Sequence, residues 1–211
     1  MILASQSPRR RELLEGLGVS LTILPACVDE GRLPGEGPVE LVERLAQSKA
    51  EVARLLLGGM TDERVLVAAD TIVWTEDGHI LGKPRDGDDA RAMLRELSGR
   101  THHVSTGCCA LVLSPAAQVL SSTSFVETTA VEFHTLTGSE VDTYVASGEP
   151  MDKAGAYGIQ GLGRLLVRQV RGDYFNVVGL PVARLVRELA SLGPFPSLTT
   201  TLLGGAHHDG A

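Results

Sequence analysis

Five apolar residues in succession, Val65-Leu-Val-Ala-Ala69, are followed at once by Asp70 and Thr71, and this stretch constrains the chain more than any other. A run of that kind reads as a strand buried on both faces. In open sheets built from such strands, ligands gather beyond the carboxyl ends, so Asp70 and Thr71 are predicted to project there. An aspartate leaving a strand also serves as a simple turn cap. What decides between the two readings is what other segments bring to this acid.

The 211 residues suit one large domain or a two-lobed one. A formal net charge of −7 argues against general nucleic-acid binding, so any cationic cluster must be local and serve a small anionic ligand. Three cysteines, with Cys108 and Cys109 adjacent, form neither a disulfide framework nor a CxxC metal pattern. They suit a reducing compartment, and inside an apolar strand pattern they read as packing residues. Met1–Ala4 lacks the charged region of a signal peptide, and no apolar run approaches the roughly 18 residues that span a bilayer. A cytoplasmic location without a membrane partner is expected.

Along the chain, Met1–Ala4 reads as a short strand, with Ser7 as N-cap and Pro8 as first residue of a helix. Arg9, Arg10 and Arg11 then crowd a helix end that already carries partial positive charge. Such crowding suits either a solvated basic turn or a phosphate site in which Ser5 and the guanidinium forks take part. Leu21–Pro25 suggests a second strand, followed by a loop bearing Asp29, Glu30 and Arg32. If that loop folds over Asp70, Glu30 and Asp70 could share a magnesium-like ion, which takes one or two protein carboxylates. Pro38 opens a helix to about Leu57, and Lys49 lies within its apolar stripe, placed either to snorkel or to emerge into a cleft.

A hairpin turning at Asp77-Gly78 delivers Gly82-Lys83-Pro84, and no Walker motif occurs. A helix from about Asp88 to Ser98, two extended segments (Thr101–Leu113 and Val119–His134) and a capping box at Thr137/Glu140 come next. His102, His103 and His134 lack ligand spacing. The segment from Gly148 to Gly161 interleaves Asp152, Lys153, Tyr157 and Gln160 with glycines 155, 158 and 161, which would let a ligand approach the backbone. A strand over Leu165–Val170 and the segment Asn176–Pro181 lead to a last helix with Val182, Leu185, Val186 and Leu189 facing inward. Residues 193–211 lack periodicity and are expected to form a flexible tail outside the domain of residues 1–192, with His207-His208 too sparse for a metal site.

Taken together, Leu3-Ala-Ser5-Gln-Ser-Pro-Arg9-Arg10, Lys49, Ala69-Asp70-Thr71-Ile-Val, Gly82-Lys83-Pro84, Leu97-Ser-Gly99, Ser105-Thr-Gly107, Gly148 to Gly161 and Asn176-Val-Val-Gly-Leu-Pro181 closely resemble the Maf family of nucleoside triphosphate pyrophosphatases. The resemblance spans about residues 2 to 190. It implies a mixed α/β fold, with an elongated twisted sheet flanked by helices and two lobes around a central cleft, often dimeric. It further implies hydrolysis of a nucleoside triphosphate to the monophosphate and pyrophosphate, with a divalent cation such as Mg, Mn or Co held by Asp70 and Glu30. On that likeness Asp70 is the proton acceptor, Glu30 helps at the metal or water site, and Ser5, Arg10, Lys49 and Lys83 hold the triphosphate, with Lys83 counted among the catalytic residues. Asp152 and Lys153 belong to the substrate loop. Arg9, Thr71 and Gln160 look like the base-sorting set of members acting on dTTP, UTP and modified pyrimidine nucleotides. A branch acting on 7-methyl-GTP, or a nucleotide-binding cell-division regulator, is the competing expectation. The extra arginine at 11 and the tail after residue 193 depart from the pattern.

Overall fold

In the computed structural model, which describes residues 1–193 and 198–205, the chain runs β1 (Ile2–Leu3), α1 (Pro8–Glu15), β2 (Thr22–Ile23), α2 (Pro38–Leu56), β3 (Arg64–Thr75), β4 (Ile80–Leu81) and α3 (Gly87–Leu97). It continues through β5 (Thr101–Leu113), β6 (Val119–Phe133), α4 (Gly138–Ala146), three short 3₁₀ turns between Glu149 and Leu165, β7 (Val167–Arg171), α5 (Tyr174–Val178), α6 (Val182–Ser191) and α7 (Leu198–Gly205). The predicted capping box closes α4, with Thr137 and Glu140 exchanging hydrogen bonds.

The seven strands form one sheet in the order β2-β1-β3-β5-β6-β7, with β4 paired to β3. The first three are parallel and the rest antiparallel. Strands β3, β5 and β6, of 12, 13 and 15 residues, make the sheet elongated. Two apolar clusters occupy one end. Val65, Val67 and Ala69 pack with Leu14 of α1 and Leu185 and Leu189 of α6 on one face, and Leu66 and Ala68 pack with Ala46, Ala50 and Ala53 of α2 on the other. At the far end, Val73, Val104 and Val131 pack with Leu94 of α3 and Val141 of α4. Asp70 and Thr71 fall at the seam between these cores.

The position of Asp70 differs from the sequence expectation. The Val65–Ala69 run is buried on both faces as predicted, but β3 does not stop there. It continues six residues beyond Ala69, because the β5 ladder runs without a break from Arg64↔Leu113 to Thr75↔His102. Asp70 is therefore mid-strand, opposite Gly107. The carboxyl end that matters belongs to β1, which pairs β3 only at Leu66 and Val67, while β4 takes over at Val73 and Trp74. Residues 68–72 thus have no strand partner on that edge, and the side chains at 70 and 71 leave it toward opposite faces.

Smaller differences follow from packing. The strand expected at Leu165–Val170 lies at Val167–Arg171, and the segment after Asp173 is the short helix α5, capped by the Asp173 carboxylate on the Phe175 N–H. Val186 is only half-buried, whereas Val182, Leu185 and Leu189 are inward as expected. Within the expected tail, residues 198–205 form α7, and Leu198 leans on the α1/α6 cluster; His207-His208 lie outside the described residues. No described helix is long and apolar enough to cross a membrane. Burial pushes the Cys108 thiol up to about 12 and Cys109 to about 11, so both stay protonated packing residues.

Candidate active site

The site has two halves, one on each face of β3. On the α2 face, Gly107 is the reason a helix can come so close. A β-carbon there would run into the backbone carbonyl of Val42, so α2 lies flat on the sheet at this point. Two turns further along α2, Lys49 emerges beside Asp70. Its ammonium donates to Asp70 Oδ1 at 2.5 Å and to Glu30 Oε1 at 2.6 Å. The Lys49 and Asp70 side chains are each 13% exposed, whereas Glu30 is 64% exposed and reaches in from its loop. The three groups expected at Asp70, Glu30 and Lys49 therefore meet.

On the opposite face stands Arg10. The three crowded arginines of α1 resolve into three fates. Arg11 pairs with Glu15 at 2.8 Å on the exposed side, and Arg9 reaches Asp152 at 3.2 Å. Arg10 turns inward and donates only to neutral oxygens: the Gly179 carbonyl through Nε (2.8 Å), Ser5 Oγ through Nη1 (3.1 Å) and Thr71 Oγ1 through Nη2 (2.8 Å). Burial pulls this guanidinium below its ordinary value, while the charges of Asp70 and Glu30 across the strand oppose that pull. It remains cationic at neutral pH, as guanidinium does. It is thus a half-buried cation with no carboxylate bonded to it among the described residues.

Arg10 is held by a hydroxyl relay that the sequence reading did not single out. Thr71 and Thr106 are opposite each other in register and their hydroxyls are 2.9 Å apart. Thr106 donates to the Asn176 carbonyl at 3.2 Å, and Thr71 accepts from Arg10 while its own proton is shared between Thr106 and the Gly179 carbonyl at 3.4 Å. The Asn176 side chain donates to the Val104 carbonyl (2.9 Å) and Thr129 Oγ1 (3.0 Å), clamping α5 to the sheet. The signal was in the sequence. Ser105-Thr106-Gly107 interrupts the apolar pattern of β5 as Asp70-Thr71 interrupts that of β3, and matching the two interruptions gives the observed register.

The glycine-rich segment is also shaped by packing within the protein. A β-carbon at Gly155 would meet the Val73 side chain, one at Gly158 would meet Lys153, and one at Gly161 would meet the Glu149 carboxylate. Gly158 and Gly161 let the loop close on its own side chains, and Gly155 lets it lie against β3. Lys153 is consumed internally, donating to the Glu149 carbonyl and to Asp152, each at 2.6 Å. Desolvation raises the Asp152 acid, yet the hydrogen bonds and charges of Lys153 and Arg9 outweigh it and leave the group below its usual range. Arg9, Asp152 and Lys153 thereby tie α1 to the loop. Lys83 is exposed and makes no ion pair among the described residues, although the neighbouring Gly82 carbonyl accepts from Gly155 N–H at 3.0 Å. Gln160 is exposed, and its side chain makes no hydrogen bond among the described residues.

Cations and carboxylates thus flank the open edge of a central strand in a mixed α/β protein. The family model described as Maf-like protein matches residues 1–192. The chain belongs to that family. A protein of Syntrophomonas wolfei named dTTP/UTP pyrophosphatase is 48% identical over 192 residues, covering 90% of this chain and 96% of its own. Proteins of the same name from Anaeromyxobacter dehalogenans (49% over 197 residues, 93% and 96% covered) and Chromobacterium violaceum (47% over 192 residues, 90% and 93%) are similarly close.

Proposed function

We propose that this protein hydrolyses dTTP, UTP and modified pyrimidine nucleoside triphosphates to the monophosphate and pyrophosphate. The observation that carries the reading is Arg10, a half-buried cation bonded only to neutral oxygens, facing Lys49 and Asp70 across the free edge of β3. The names of the relatives supply the pyrimidine substrates.

A triphosphate lying along that edge meets Arg10 from one face and Lys49 from the other, with Lys83 added from the loop after β4. Preplaced positive groups stabilise the charge that builds on phosphate oxygens as the anhydride breaks. Water attacks the α-phosphorus, an O–P bond forms, the α–β bridging bond breaks and pyrophosphate leaves. Asp70 accepts the proton of that water. In the free protein its carboxylate is bound to Lys49, and the incoming phosphates give the Lys49 ammonium a competing anion, which frees Asp70. Arg9, Thr71 and Gln160 border the base, where the Gln160 amide offers one donor and one acceptor face to an imide edge.

The donor set suits a divalent cation. Asp70 and Glu30 already converge on one positive charge, the Lys49 ammonium, and Mg²⁺ or Mn²⁺ takes one or two carboxylates with phosphate oxygens and water completing the shell. Among the described residues no cluster of three or more His, Cys, Asp or Glu competes for this role. When bound, such an ion neutralises phosphate charge and makes its water more acidic.

Asp70→Asn keeps the shape of the side chain and removes its basicity. Pyrophosphate release is expected to fall about 10²–10⁴-fold, with nucleotide binding by calorimetry largely kept. Turnover that survives the substitution would take Asp70 out of the mechanism.

A further inference from the structure

We propose that Glu149 is the positioning residue for base recognition, the group that shapes the turn presenting Gln160. This rests on the reading that Gln160 faces the base. Glu149 belongs to the first 3₁₀ turn after α4, and its half-buried carboxylate accepts three hydrogen bonds: from the Tyr144 hydroxyl (2.9 Å), Leu162 N–H (2.7 Å) and Gly163 N–H (3.2 Å). Tyr144 in turn accepts from Gly158 N–H at 3.1 Å. Backbone amides on both sides of Gln160 are thus anchored to one acid and its phenol partner, while the Gln160 side chain stands free between them.

Proton bookkeeping fixes the direction of every bond. Burial, assisted by the Glu149 charge, raises the Tyr144 phenol well above its usual range, so it is a donor to Glu149. For Glu149, desolvation works upward, but the Leu162 and Gly163 amides, Tyr144 and Lys153 prevail and hold the acid below its ordinary value. It is ionised at neutral pH, and both oxygens are engaged as acceptors. The tight fit of the turn follows, since side chains at Gly161 or Gly163 would meet the Glu149 carboxylate or the Tyr144 hydroxyl. No contact joins Glu149 to Asp70, Lys49 or Arg10, so its influence is confined to the base end of the substrate.

The test is Glu149→Gln, nearly the same shape but with an NH₂ facing a backbone N–H. Measured on the full chain, KM for UTP should rise at least tenfold and the UTP-over-CTP preference in kcat/KM should fall at least tenfold. Cleavage of methyl triphosphate, which has no base, should change less than twofold. A loss shared equally by UTP and methyl triphosphate would mean that Glu149 merely supports folding, and unchanged UTP/CTP preference would overturn the proposal. Gln160→Ala is the parallel control: if it leaves the base ranking intact, the reading of Gln160 fails, whereas a changed ranking there with an unchanged one in Glu149→Gln sinks the present inference alone. Should Glu149→Gln not fold, amide hydrogen exchange on the unaltered protein decides. Leu162 and Gly163 amides should be protected at least a hundredfold, and free exchange at both would overturn the anchor.

Discussion

Lys49 is where the chemistry of single residues is most concentrated. One ammonium satisfies two carboxylates at 2.5 and 2.6 Å, in the place a divalent ion would take. On the proposal that Asp70 and Glu30 hold a divalent ion, the amine and the ion are rivals for the same oxygens. Lys49→Met is expected to tighten Mn²⁺ binding about tenfold in the absence of nucleotide, read by Mn²⁺ paramagnetic resonance, and at the same time to lower turnover about tenfold or more by removing a phosphate contact. Lys83→Met is the comparison, because Lys83 makes no ion pair among the described residues and its loss should leave Mn²⁺ affinity nearly unchanged. Equal Mn²⁺ affinity in the Lys49 variant and the parent would mean that the ammonium does not guard the carboxylates.

The secondary-structure elements matter through how closely they approach. Helix α2 delivers Lys49 only because Gly107 leaves room for the Val42 backbone. Gly107→Ala forces the helix off the sheet. A loss of about 1–3 kcal/mol in stability is expected, seen as a lowered urea midpoint, with a drop in turnover from the displaced Lys49. An unshifted midpoint would show that α2 has slack. Much of this layer was legible beforehand. The apolar stripe of α2, the β3–β4 hairpin and the α4 capping box are local patterns, set by residues a few positions apart. The place of Asp70 was not. An apolar run ends at Ala69, but a strand ends where its ladder ends, and β5 keeps pairing through Thr75. The polar pair at 70 and 71 is tolerated mid-strand because Lys49 answers one and Thr106 the other, partners 21 and 35 residues away. Likewise, the sequence pattern of the glycines at 158 and 161 did not show that Lys153 and Glu149 lie beside them.

For the molecule as a whole, one buried ring in the far core contributes to the response to pH. His102 is fully buried at the far end, sharing a 2.8 Å hydrogen bond with Tyr157 and packed edge-on against Phe133. Burial, with a smaller push from His103, holds its imidazole down at about 3. The folded protein keeps the ring neutral, whereas the unfolded chain protonates near the ordinary histidine value of about 6.5. Below that value the unfolded state binds the extra proton. The stabilisation is whole above pH 6.5 and is lost as pH falls toward 3, by about 1.4 kcal/mol per pH unit from this one group. Urea unfolding at pH 7.5 and 5 should show a steeper fall for the parent than for His102→Leu, and parallel slopes would rule the ring out as the cause.

The alternation of Asp70 and Thr71 across β3 carries a last consequence. Inserting one residue anywhere between Arg64 and Ala69, with the pairing upstream of it held, would set Asp70 opposite Thr106 and turn its carboxylate to the face of the threonines. Ala69 would then take the place beside Lys49. A change of length upstream of the acid is therefore a different event from a substitution, since it carries the carboxylate through the sheet and away from the Lys49 ammonium.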